Sequence, residues 1–172
     1  MSYAEHFVIQ NNLRPGDAIM LKKKFFKMFD HFAVYLGRNA YTNRPVFAAN
    51  YTNGVSIISD EEANYFLQTL SPERIDRFYG NDRQRQLAIN RAYEYKDKKN
   101  YNLIFNNCEH YKNFVQFGHK YSRQVDNAGN ALLIAGGAIA AAGLATKSGK
   151  AVGWGLFAFA LGAIAKMAAD QD

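Results

Sequence analysis

The stretch "NNCEHYKNFVQFG", residues 106–118, decides the fold of this chain. It holds the only cysteine, Cys108, with a histidine two places on. Asn107 is a strong N-cap residue and Gly118 a strong C-cap residue, so one short helix is predicted between them. Cys108, Tyr111, Phe114 and Val115 recur at helical spacing and predict an inward face. Cys108 then sits in the first turn, where backbone N–H groups and the helix dipole favour a thiolate. His110 falls on a different side of that helix and does not readily face the thiol. A base for Cys108 has to come from elsewhere in the chain.

Upstream, "DHFAVYLG" (30–37) alternates with period two, as a strand does. Phe32, Val34 and Leu36 form one row and predict a core face. His31, Ala33 and Tyr35 form the other. His31 is the candidate partner of Cys108, because such pairs meet in space rather than along the chain. "RPGD" (14–17) is a turn signal, with Pro presetting φ and Gly taking the awkward dihedral. The strand candidate "AIMLKKKFF" follows it. "PVFAANYTNGVSIIS" (45–59) reads as a hairpin around its Thr-Asn-Gly. Ser59 with Glu62 three residues on predicts a capped helix start with an acidic first turn. "LSPERIDRFYGN" reads as a loop, and "DRQRQLAINRAYEYKDKK" as a second helix. On residue types alone two readings of Cys108 stay open. It is half of a nucleophilic pair with His31, or a small buried thiol beside an ordinary strand histidine.

The 172 residues suit one domain with an appendage, and the composition, 48% hydrophobic and 15% aromatic, suffices for a core. A single cysteine allows no intrachain disulfide. His6, His31, Cys108, His110 and His119 show no metal-ligand spacing, so no metal and no cofactor is expected. "MSYAEHFVIQNNLRPGD" lacks the basic and then apolar order of a signal peptide. Of the +6 formal charge, +5 falls in the first 130 residues. No arginine-rich arm or recognition-helix pattern accompanies it, so nucleic acid is not the expected partner. The composition then changes. Residues 131–146 and 151–165 carry no charge, and as helices they span about 22–24 Å. An apolar helical hairpin turning at Lys147–Lys150 is predicted. Its Gly136, Ala140, Gly143, Gly149, Gly153 and Gly162 would let two helices approach closely. A chain this short has little else to cover two such helices, so a membrane surface or bilayer is the expected partner. In "KKKFFKMF", Lys22, Lys23, Lys24 and Lys27 interleave with Phe25 and Phe26. That pattern suits anionic head groups and an interface. Residues 1–128 are expected to form a catalytic domain and 129–172 the hairpin.

"LRPGDAI", "DHFAVYLG" and "NNCEHYKNFVQFG" together resemble the lecithin:retinol acyltransferase-like family, in its motif order, over about residues 13–119. The resemblance implies an α+β, permuted papain-like fold, with a small antiparallel sheet packed on helices. It implies Cys108 as nucleophile and His31 as general base, with His110 structural. The family's third polar residue is usually a second His on the next strand. No His lies between His31 and His110 here, and Asn50 is the residue chosen to orient the base. Tyr35, on the His31 row, is the candidate to line the site or donate to an oxyanion. The implied activity is acyl transfer or hydrolysis on glycerophospholipids, through an acyl-thioester on Cys108. A phospholipid is the acyl donor, and a membrane-associated catalytic domain on the cytoplasmic side is expected. A cysteine amidase or peptidase of the same fold is the alternative, as is a non-catalytic membrane-binding protein with a degenerate domain.

Overall fold

The computed structural model describes residues 1–22, 31–51, 53–98 and 107–171. Lys23, Lys24, Phe25, Phe26 and Lys27, expected at the membrane, lie outside that set. Lys22 ends the first strand. In chain order the elements are α1 (Tyr3–Gln10), β1 (Ala18–Lys22), β2 (His31–Arg38), β3 (Pro45–Tyr51), β4 (Gly54–Ile58), α2 (Asp60–Thr69), β5 (Ser71–Asp76), α3 (Asp82–Glu94), α4 (Cys108–Phe117), β6 (Lys120–Tyr121), α5 (Arg123–Ala145), α6 (Gly149–Ala169) and β7 (Asp170–Gln171). The class is α+β. The chain divides into two compact units, Met1–His119 and Lys120–Asp172.

In the first unit a five-stranded antiparallel sheet runs in the order β4-β3-β2-β1-β5. Helices cover both of its faces. Met20, Phe32, Val34, Leu36 and Ala48 pack with Ala88 and Ala92 of α3 and with Cys108, Tyr111 and Val115 of α4. Ile19, Leu21, Ala33, Tyr35, Phe47 and Ala49 pack with Ala4 and Val8 of α1 and Ala63 and Leu67 of α2. The period-two pattern of β2 is therefore real, but both of its rows are buried. The Ala33/Tyr35 row, expected to face a site, lines a second core instead. Helix α1 supplies part of that cover through Ala4 and Val8. Its start is fixed by Ser2, whose hydroxyl accepts from the Glu5 amide.

One expected loop is a strand. "SPERID" forms β5 and pairs with β1 from Ala18 to Lys22. As an edge strand it tolerates Pro72 and carries Glu73, Arg74 and Asp76, so it shows neither alternation nor β-branched enrichment. The Pro-Gly-Asp turn before β1 ties several elements together. Gly16 holds a φ of +94°, and a Cβ there would lie 2.6 Å from the Phe78 ring. Asp17 is buried and accepts from the Arg14 and Phe78 amides and from the guanidinium groups of Arg77 and Arg85. Gln116 of α4 donates to the Gly16 carbonyl at 2.8 Å. The turn thus anchors the far end of the cysteine helix.

The second unit is an antiparallel helical hairpin. Helices α5 and α6, of 23 and 21 residues, are about 34 and 31 Å long. Each is long and apolar enough to cross a membrane. Glycines at heptad spacing make the contact: Gly129, Gly136 and Gly143 on α5, and Gly155 and Gly162 on α6. A Cβ on Gly143 would lie 2.6 Å from the Val152 nitrogen, and one on Gly162 2.7 Å from the Leu133 nitrogen. Of the glycines expected at this contact, Gly149 and Gly153 take no part; a Cβ on either meets nothing within 4 Å. The ammonium of Lys166 pairs with the Asp126 carboxylate at the open end.

Candidate active site

Cys108 is the first residue of α4 and is buried. Its helix start is a closed box. Asn107 Oδ1 accepts from the Glu109 and His110 amides, each at 3.0 Å. In return the Asn107 amide donates to His110 Nδ1 at 3.4 Å. An Nδ1 that accepts puts the proton of a neutral imidazole on Nε2. His110 is fully buried in this role. A histidine thus takes the place that Glu or Gln fills in most capping boxes. It fixes the turn that carries the thiol.

Almost all of α4 is enclosed, not one face of it. Glu109, His110, Lys112, Asn113 and Gln116 are buried along with Cys108, Tyr111 and Val115, whereas Phe114 is only partly covered. The polar side has partners from the far edge of the sheet. Lys112 Nζ lies 3.2 Å from Asp76 Oδ2 and 5.1 Å from the centre of the Phe32 ring. Burial alone would push the Asp76 carboxyl up. The Arg74 hydrogen bond and the Lys112 ammonium more than reverse that, and its pKa lies below the usual carboxylate value. The Lys112–Asp76 pair was not foreseen, because Asp76 belongs to the segment read as a loop.

The expected residues divide between the two faces of the sheet. Asn50 reaches the start of α4: its Nδ2 donates to the Asn107 carbonyl in a long bond of 3.5 Å. Ala33 pairs with Ala49 across β2 and β3, so continuing the register sets Phe32 opposite Asn50 and His31 opposite Tyr51. Opposite residues share a face. Asn50 therefore lies on the Phe32 side, with Cys108. The His31 ring lies on the other side, stacked on Tyr51 at 4.9 Å between centroids and 6.5 Å from Phe66. His31 and the start of α4 share one end of the sheet and occupy opposite faces of it. Asn50 serves the backbone that presents the thiol. Tyr35 lies on the second face, four residues along β2 from His31, or about 13 Å. Its ring packs 5.3 Å from that of Phe47, and burial pushes its phenol up. Its core neighbours are those of the second face, whereas Cys108 belongs to the first.

The Pro-Gly-Asp turn, the His31 strand and the capped cysteine helix fall within one family match. A model described as lecithin retinol acyltransferase matches residues 11–121. The chain belongs to that family. No curated protein matches the sequence. The family match runs from the end of α1 through β6, so it includes His31, Asn50 and Cys108 and stops before α5. Membership in the lecithin retinol acyltransferase family suggests acyltransferase or phospholipase-type chemistry on lipids.

Proposed function

We propose that the chain transfers or hydrolyses acyl groups of glycerophospholipids at a membrane, with Cys108 as nucleophile. One observation carries this: the single cysteine stands at the first position of a helix whose start is fixed by the Asn107–His110 box. Dipole and amides there favour the thiolate. The thiolate attacks the ester carbonyl carbon, and the carbonyl electrons move to oxygen. Collapse expels the lysolipid alkoxide, and the acyl group remains as a thioester on Sγ. His31 is the proposed base: it takes the thiol proton and returns it to the leaving oxygen. Water or an amine or alcohol then accepts the acyl group. The permuted papain-like arrangement belongs to this proposal, as does a cytoplasmic position for the catalytic unit.

Membrane association is supported by the second unit. Ile134, Trp154 and Met167 are 74%, 69% and 80% exposed on α5 and α6, and lipid is a natural cover for such a surface. The test is intact mass spectrometry after brief incubation with mixed phospholipid vesicles. A hydroxylamine-labile acyl adduct is expected on the wild type and not on Cys108→Ala or His31→Ala. A second reading has the exposed apolar hairpin in its favour. In it the domain is degenerate and the hairpin is the active part. Absence of both adduct and lysolipid, with membrane binding intact, would select that reading.

A further inference from the structure

His31 is the first residue of β2, and its ring is set against two aromatics. The imidazole stacks on the Tyr51 ring at 4.9 Å between centroids and 23° between planes. Tyr51 in turn stacks on Phe66 at 5.6 Å and 25°. Phe66 also reaches His31 at 6.5 Å, tilted by 45°. The three rings come from β2, β3 and α2. Strand pairing brings the first two together, since the Ala33–Ala49 register, continued, sets Tyr51 opposite His31. Ser59 fixes the start of α2, Ala63 and Leu67 hold it in the core, and Phe66 packs beside them. His31 therefore rests on an aromatic surface that is itself backed.

A stack takes a face of the imidazole. Both ring nitrogens lie in the ring plane, so stacking orients them without occupying either. What Tyr51 brings to this contact is its ring. Its hydroxyl is buried and has no hydrogen-bond partner among the described residues, so it does not hold His31 by a hydrogen bond. Burial, with the charge of Glu62 adding to it, pushes the Tyr51 phenol up, and the ring stays uncharged. The face of such a ring attracts a cation. Imidazolium is the form His31 takes once it holds the Cys108 proton.

We infer that Tyr51, backed by Phe66, is the positioning residue of the base: its ring face holds the His31 imidazole in the orientation from which it exchanges a proton with Cys108. This rests on the reading of His31 as base made above. The third residue implied by the family resemblance is polar, whereas Tyr51 acts through its aromatic face.

The rate of acyl-adduct formation tests this, read by intact mass on the full-length chain with mixed phospholipid vesicles. Tyr51→Phe keeps the ring and should react at the wild-type rate. Its urea midpoint should not fall, because a buried hydroxyl without a partner is removed. Tyr51→Leu keeps apolar bulk and loses the ring; it should slow the adduct about three- to tenfold, the worth of one aromatic pair. A second readout separates positioning from packing. Nuclear magnetic resonance of histidine-labelled protein has four imidazoles to report, and His31→Gln assigns the one of interest. Its ring-proton signal should be shifted upfield in the wild type and in Tyr51→Phe, and should return towards the free-histidine value in Tyr51→Leu. Phe66→Leu should move the rate and the signal in the same direction by less, and it is the test if Tyr51→Leu does not fold. An unchanged rate in Tyr51→Leu overturns the positioning role alone. So does a Tyr51→Phe rate as slow as that of Tyr51→Leu, which would make the hydroxyl the active group. No adduct on the wild type, with the His31 signal shifted as expected, would overturn the proposed reaction and the positioning role with it.

Discussion

His110 shows how much one residue's role depends on geometry. Beside a cysteine it resembles a catalytic partner, yet Nδ1 is committed to the Asn107 amide and the ring is fully buried. Glutamine can close the same box and cannot act as a base. His110→Gln should therefore retain most of the acyl-adduct formation. His110→Ala should lose about 0.5–2 kcal/mol of stability with the cap, and adduct formation with it. Equal and complete loss in both variants, seen by intact mass, would make His110 the base. Asp76 gives the pH dependence of the same helix. Its folded pKa is lowered, so its contribution is full above the unfolded value near 4. That contribution is lost as pH falls through the lower folded value. Asp76→Asn should flatten the acid limb of a urea-midpoint series from pH 6 to 2. It should also lower the midpoint at neutral pH, because Lys112 is left buried without its carboxylate. An unchanged acid limb would show that the pair does not titrate with folding.

At the scale of elements, the hairpin separates glycines that matter from glycines that do not. Gly143 meets backbone across the contact, whereas Gly153 meets nothing. Gly143→Leu should push α5 and α6 apart and cost about 1–3 kcal/mol. Gly153→Ala should stabilise α6 by up to about 1 kcal/mol, because only helix propensity changes there. Thermal unfolding followed by circular dichroism in detergent micelles reads both. The same sign for both would mean that the heptad glycines do not form the contact. The heptad spacing of 129, 136 and 143, and of 155 and 162, was present in the sequence as a signal. Glycine content alone does not separate these from Gly149 and Gly153, which meet nothing across the contact.

For the whole molecule, the exposed apolar surface of α5 and α6 should govern membrane partition. Ile134 and Phe157 are more than half exposed, at 74% and 56%. Ile134→Glu with Phe157→Glu should shift most of the protein from the floating to the soluble fraction in a vesicle flotation assay, since each buried charge is costly in hydrocarbon. The sheet unit should keep its fold, read by near-ultraviolet circular dichroism. Unchanged flotation would place membrane binding elsewhere, with the basic and aromatic residues 22–29 next in line.

Much of this was fixed by local chemistry and so was legible in the sequence. Asn107 and Gly118 bound α4 because caps act within a turn. Ser59 starts α2 for the same reason. The alternation of His31–Leu36 sets the faces of β2, because side chains must alternate on a pleated strand. The charge-free runs beyond residue 130 make the hairpin. What lies against each face was decided only by the tertiary structure. A strand's pattern gives its two rows but not their covers, so the burial of Ala33 and Tyr35 under α1 and α2 could not be read from β2. Strand β5 owes its existence to pairing with β1, not to its own residues. The same holds for the site. The family resemblance singled out Cys108, His31 and Asn50, and packing put Asn50 beside the cysteine helix and the His31 ring against Tyr51, because α4 lies on the Phe32 face of the sheet.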